Sequence, residues 1–333
     1  MIARTRALDG RTTLSLVIPC FNEEEVLPLL YERLAAAARE WRVRYEVILV
    51  DDGSRDRTWG LIADISAKDP RWKGVRLARN FGHQIALWTG LQRASGNVIA
   101  VLDADLQDPP EILRNFLAKW AEGFDVVYAV RTKRKEGPFK RLAYHLYYRI
   151  LAFLSEIDIP LDSGDFCVMD RAVLDAILSS REQAPFVRGL RAWAGFRQTA
   201  LAYERDKRAA GEVKYTFRKL VQLGMNGILS FSTRPLRLAT YFGFIVSATA
   251  FLGTVFTLLQ RIFAAQFQQI GLGPVPGFAT IVIAVLFLGG VQLLCMGILG
   301  EYVGRIYENV KGRPLTVIRE SVGLAGRAEE EAA

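Results

Sequence analysis

The stretch VLDADLQDPPE, residues 101–111, places two acids one residue apart, Asp103 and Asp105, at the end of the apolar run Asn97–Leu102. Carboxylates so spaced at a strand end can reach one hard cation. Two other strand-like runs end in acids. Leu14–Pro19 leads into PCFNEEE (Pro19–Glu25), and Tyr45–Val50 leads into DDGSRDRT (Asp51–Thr58). Solvated acids that cap helices would explain any one of these ends. Three on one rim would repel each other unless a cation or a donor-rich ligand sat among them. The chain has neither a GxGxxG after its first strand nor a GxxxxGK[ST], which argues against a nicotinamide enzyme or a P-loop NTPase. Phosphates at this rim would instead be neutralised by Mg²⁺ or Mn²⁺ held on carboxylates, as a nucleotide diphosphate requires.

The elements that must present these ends alternate. Val75–Ala78 and Phe124–Val130 add two strand-like runs, and helical patterns lie between the runs. Several runs are continuously apolar, as in strands buried on both faces. The expectation is an α/β sandwich with a largely parallel sheet, whose ligands sit beyond the carboxyl ends of the strands. Asn22 and Glu25 suggest a capping box for the first helix, whose core face is Val26, Leu30, Leu34 and Ala37. Asp56 and Arg57 read as the start of the second.

Half of the 333 residues are hydrophobic, but unevenly placed. Leu238–Leu259 carries no charge between Arg237 and Arg261, and Gly277–Gly300 carries none before Glu301. The first run spans roughly 33 Å as a helix, enough for a bilayer core. Basic residues before the first run and after the second place both ends in the cytoplasm and the intervening loop outside. The predicted organisation is a cytoplasmic domain (1–215), a juxtamembrane segment (216–235), two transmembrane helices (236–300) and a cytoplasmic tail (301–333). Glycines in the spans would allow close packing and a homo-oligomer. No apolar stretch follows the basic N-terminus, so no signal peptide is expected. Three scattered cysteines with no CxxC argue against a disulfide framework and a zinc site.

Together LVIPCFNEEEVLP, ILVDDGSRDRT, LARNFGHQIALWTGLQRASGNVIAVLDADLQDPPE and DSGDFCVMDR resemble the inverting family 2 glycosyltransferases of GT-A fold. RAAGEVKYTFRKL and GEYVGRIYENVKGRPLTVIRE narrow the resemblance to the polyprenyl-phosphate glycosyltransferases, the bactoprenol glucosyltransferase and dolichol-phosphate mannosyltransferase group. The resemblance implies transfer of a sugar, glucose from UDP in first place, to undecaprenyl or another polyprenyl phosphate at a bacterial cytoplasmic membrane. GDP-mannose, UDP-aminoarabinose, UDP-N-acetylhexosamine and UDP-galactose are alternative donors. It implies that Pro19, Phe21, Glu23 and Asp51 hold the nucleoside, and that Asp103, Asp105 and Gln107 face the metal and diphosphate. Arg131 and Arg134 would lie near the acceptor phosphate. Arg208, Lys214 and Tyr215 would belong to a basic loop that closes over the phosphates, where Val213 replaces a hydroxyl common in relatives. Asp165 matches a family base, yet a phosphate nucleophile is largely ionised at neutral pH and needs no strong base. Orienting the acceptor or a basic side chain is its alternative role.

His83 reads as a hydrogen-bonding loop residue, and Cys20 as a small strand-end residue. Phe139–Leu154 and Phe217–Phe231 have the amphipathic, basic pattern of interfacial helices. The net charge of +8 then suits anionic headgroups and lipid phosphate, and no nucleic-acid motif opposes that. A polysaccharide synthase would carry a QxxRW motif and more spans. A non-catalytic scaffold would not need Asp103, Asp105 and Gln107 together.

Overall fold

The computed structural model describes residues 5–131, 163–180, 182, 185–204, 233–269, 271 and 277–324. In chain order these form β1 (Thr13–Cys20), α1 (Leu27–Ala38), β2 (Arg44–Asp51), α2 (Thr58–Lys68), β3 (Trp72–Leu77), α3 (His83–Arg93) and β4 (Val98–Val101). A 3-10 turn (Pro110–Ile112), α4 (Leu113–Ala121), β5 (Val126–Arg131), β6 (Ser163–Asp170), α5 (Arg171–Leu178), α6 (Val187–Trp193) and β7 (Gln198–Tyr203) follow. Two long helices come next, α7 (Arg234–Ile262) and α9 (Phe278–Lys311), with the short α8 (Ala264–Gln269) between them, and β8 (Ile318–Val322) comes last.

One eight-stranded sheet has the order β7-β5-β6-β4-β1-β2-β3-β8. The expected parallel core is present, since β4, β1, β2 and β3 run the same way. The sheet as a whole is mixed. β6 runs antiparallel between β4 and β5, and β8 runs antiparallel beside β3. Because β6 is reversed, its beginning lies at the same rim as the ends of β1, β2, β4 and β5. That reversal brings Asp165 level with the strand-end acids.

Burial explains the layers. Leu14, Leu16, Ile18, Val47, Leu49, Val98 and Ala100 are wholly buried strand residues, and α1 lays Leu27, Leu30 and Leu34 on them. Each such leucine stabilises the fold by about 1.5–3 kcal/mol. Val26 and Ala37 are buried as their spacing implies. The capping box is not formed. The helix begins at Leu27 behind Val26 with no side-chain cap. Asn22 instead adopts φ 55° and accepts the Arg55 N–H at 3.0 Å, so its amide joins two loops. The start of α2 is as expected, with Asp56 Oδ1 accepting the Thr58 N–H at 3.0 Å.

The second compact unit contains the long helices. Both are long and apolar enough to cross a membrane, and none of their apolar windows is buried by protein. Phe244, Phe251, Ile262, Leu293 and Met296 are each more than two-thirds exposed, an apolar surface of the kind that lipid or a partner covers. α9 continues past the uncharged run into a charged end with a Glu301–Arg305 pair, and Gly312 stops it in the left-handed conformation at φ 61°.

α3 approaches the sheet closely at Gly90, where a Cβ would lie 2.4 Å from Val17 Cγ1 and 2.9 Å from Val50 Cγ2. Gly90→Val is expected to destabilise the first unit by about 1–3 kcal/mol through overpacking. Denaturant unfolding in detergent, followed by tryptophan fluorescence, measures the shift.

Candidate active site

The loops after β1 and β2 are laced together by the backbone. The Asn22 N–H donates to Ser54 Oγ at 2.9 Å, and the Glu23 N–H donates to Thr58 Oγ1 at 2.8 Å. Asp51 ends β2 fully buried. Its Oδ1 accepts the Ser54 N–H at 2.9 Å, while its Oδ2 has no hydrogen bond. Burial raises its pKa against the opposing Ser54 bonds and the Arg76 charge. Asp52 turns the other way and accepts the N–H groups of Phe81 and Gly82 at 2.7 and 2.9 Å. Gly53, at φ 68°, lets this turn lie against the Arg79 backbone, where a Cβ would sit 2.5 Å from the carbonyl carbon. The β2 end is thereby tied to the loop that launches α3.

The DADLQD loop is held by what lies inside it. Leu106 takes the left-handed conformation at φ 55° and buries its side chain in the core. The strain is tolerated because that burial anchors the loop. Asp108 is 1% exposed and accepts the Tyr203 hydroxyl at the end of β7. Between these anchors Asp105 stays half-buried, its Oδ1 accepting the Gln107 N–H at 3.1 Å. Asp103 Oδ1 is buried and accepts no hydrogen bond. Burial, with Asp108, Asp165 and Asp105 nearby, raises its carboxyl to about 6 despite His83.

A second cluster forms around Asp165, on the reversed strand β6. Arg188, on α6, donates from Nε to Asp165 Oδ1 at 2.8 Å, and Gln84 donates to Oδ2 at 3.0 Å. His83 Nε2 lies 3.3 Å from Asp165 Oδ2 and 3.7 Å from Asp103 Oδ1. Gln84 Oε1 in turn accepts the Val187 N–H at 3.2 Å, locking α3 to α6. Burial alone would raise the Asp165 pKa, but Arg188 and His83 outweigh it and hold the carboxyl far below the usual range. Burial opposes charge on His83 as well, yet the hydrogen bond to Asp165 and the charges of Asp103 and Asp165 raise its pKa to about 9. The ring is a cation bridging the two acids at neutral pH.

Pro19, Phe21, Glu23, Asp51, Asp103, Asp105, Gln107 and Asp165 all gather at this one rim. Arg131 ends β5 there, paired in register with Tyr203. Arg134, Arg208, Lys214 and Tyr215, and both amphipathic segments, lie outside the described residues. His83 is the first residue of α3 and not a loop residue, and its contacts with two acids are not visible in its sequence context. Sequence reasoning also passed over Gln84, Arg188 and Arg76. No spacing links these positions to the acids, and only the position of His83 next to a Gly82 turn was a signal. Cys20 is buried, which raises its thiol pKa and leaves it inert, as expected.

The His83 pKa exceeds the ordinary 6.5, so its pairing favours the folded state fully below pH 6.5 and is lost as the pH rises through 9. In metal-free protein, imidazole NMR should show His83 titrating near 9. The chain has two histidines, and His83→Gln assigns the signal. Asp165→Asn should lower that midpoint by about 1–3 pH units. An unchanged midpoint would contradict the pairing.

The likeness to known proteins covers nearly the whole chain. Residues 15–178 match glycosyl transferase family 2, and residues 234–306 match the GtrB C-terminal hairpin. An uncharacterized glycosyltransferase of Bacillus subtilis (strain 168), YkcC, is 44% identical over 314 residues, covering 94% of this chain and 95% of that protein. The bactoprenol glucosyl transferase of Shigella phage SfII is 37% identical over 309 residues, covering 92% and 98%. The putative glycosyltransferase CsbB of Bacillus subtilis is 36% identical over 308 residues, covering 92% of each. With its mixed sheet and its apolar hairpin, the chain belongs to glycosyl transferase family 2 and is a glycosyltransferase of the group that carries the GtrB C-terminal hairpin.

Proposed function

We propose that this enzyme transfers glucose from UDP-glucose to a polyprenyl phosphate at the cytoplasmic face of a bacterial membrane, with inversion. The observation that carries the reading is the joining of the Asp103–Asp105 rim to the Asp165–His83–Arg188 cluster in a chain with an apolar hairpin. Relatives named bactoprenol glucosyl transferase over nearly the whole chain support it. Incubating the purified enzyme with undecaprenyl phosphate and each candidate nucleotide sugar, then identifying the lipid product, tests it. Transfer from another donor alone would replace glucose, and no lipid product from any donor would refute the reading.

Asp103 and Asp105, with the amide of Gln107, suit a divalent ion. Asp103 Oδ1 is a buried acceptor without a donor, and these are hard oxygen atoms. Among the described residues no third acidic, His or Cys side chain completes a cage, so the diphosphate and water would supply the remaining ligands. Bound there, Mg²⁺ or Mn²⁺ would neutralise charge on the leaving diphosphate. Pro19, Phe21, Glu23 and Asp51 are assigned to the nucleoside.

The acceptor phosphate is already ionised, and one of its oxygens attacks the anomeric carbon on the face opposite the departing diphosphate. Asp165 is poorly suited to take a proton, because two cations stabilise its charged form. Its role is to orient His83 and Arg188, whose positive charge faces the anionic reactants. Arg131, Arg208, Lys214 and Tyr215 are assigned to the acceptor phosphate and to the loop that closes on the diphosphate.

Asp105→Ala should lower turnover at least about 100-fold and weaken metal-dependent UDP binding while leaving the fold intact. Activity retained by this variant, or by the wild type in EDTA, would remove the metal assignment. For topology, a cysteine introduced at Gln269 should react with an impermeant thiol reagent in intact spheroplasts, whereas one at Arg319 should not. The opposite labelling pattern would invert the assigned orientation.

A further inference from the structure

The last strand links the end of the hairpin to the rim. β8 lies antiparallel beside β3 in the same compact unit, and Arg76 and Glu320 stand directly opposite one another. Glu320 Oε1 accepts from Arg76 Nη1 at 3.2 Å, and Oε2 accepts from Trp59 Nε1 at 2.7 Å. One carboxylate thus holds two side chains. Arg76 reaches further, its Nε lying 3.4 Å from Oδ2 of Asp51, the buried oxygen that no hydrogen bond satisfies. The ladder shifts register immediately after Arg76, and the Ala78 N–H donating to the Val317 carbonyl at 2.8 Å carries the pairing past the shift. Such an irregularity re-aims the neighbouring side chains.

We propose that β8 is a positioning element of the nucleotide pocket, with Glu320 and Arg76 as positioning residues that orient Asp51 toward the nucleoside of the donor. The inference rests on the assignment of Asp51 to the nucleoside. Arginine is a flexible side chain that loses rotamer freedom when held. Glu320 fixes it before the ligand arrives, so the ordering cost is not met on binding. A partly exposed cross-strand pair contributes little to stability by itself. Its consequence is therefore expected in donor affinity and not in folding. The strand that holds Arg76 is thus supplied by residues that follow the hairpin in the chain.

The competing explanation is that β8 merely seals the sheet edge. Val322 of β8 separates the two, since it packs over Gly74 of β3 and, being apolar, takes no part in the polar contacts that join Glu320, Arg76 and Asp51. Full-length protein in detergent is titrated with UDP and with GDP in the presence of Mn²⁺, and donor KM, acceptor KM and kcat are measured beside the unfolding temperature. Glu320→Gln should weaken binding of the nucleotide that the wild type accepts by about 3- to 10-fold and Arg76→Gln by about tenfold or more. Donor KM should rise in step, with acceptor KM, kcat and unfolding temperature nearly unchanged in Glu320→Gln. Val322→Ala should lower the unfolding temperature and keep nucleotide affinity. Wild-type affinity in Glu320→Gln, or an equal loss in Val322→Ala, overturns the relay while leaving the glycosyltransferase reading in place. A wild type that binds neither nucleotide overturns both.

Discussion

Crowded negative charge is the constraint around which the rim is built. Asp51, Asp52, Asp103, Asp105, Asp108 and Asp165 come to one end of the sheet, in a setting where burial makes each charge costly. The protein meets this in three ways. Asp52 is satisfied by backbone N–H groups, Asp108 by a tyrosine hydroxyl, and Asp165 by two cations and an amide. Asp51 and Asp103 each keep a buried oxygen with no hydrogen bond and a raised pKa; Arg76 stands 3.4 Å from that of Asp51, and that of Asp103 is left ready for a cation from outside. The acids that have internal partners shape the site, and those that lack them face the ligand.

The cations are placed by packing far from the rim. Gly90 allows α3 to settle on β1 and β2, which sets the height of His83 at the start of that helix. Gln84 then binds both Asp165 and the backbone of α6, so α3, α6 and β6 hold one another in place. Interlocking of this kind keeps charged groups in fixed positions, and preorganised charges are the ones that best stabilise a charge developing beside them. A glycine in the middle of a helix and a glutamine at its start thereby hold the charged groups of the rim in place.

The hairpin adds a different physical demand. Its aromatic and aliphatic side chains are exposed along helices long and apolar enough to cross a membrane, while the unit that carries the rim has a conventional buried core. The proposed lipid acceptor would suit both surroundings in one enzyme, because its phosphate belongs in water and its tail does not. After α9 the chain re-enters the first unit, where β8 joins the sheet that the earlier strands built.

Much of this was legible in the residues themselves. Continuous apolar runs marked β1, β2 and β4, and the acids immediately beyond them marked the rim, because burial and charge are properties of local composition. The uncharged spans were equally plain, since length and the lack of charge suffice to define them. Other features were decided only by the tertiary structure. β6 mixes Asp165 and Cys167 on one face with Phe166 and Val168 on the other, and β8 is short and mostly polar, so neither has the pattern of a buried central strand. Whether Asp165 could serve as a base depended on Arg188, His83 and Gln84, which are distant in sequence and carry no shared spacing. The ionisation of a buried group is set by everything around it in three dimensions, and those neighbours exist only once the chain has folded.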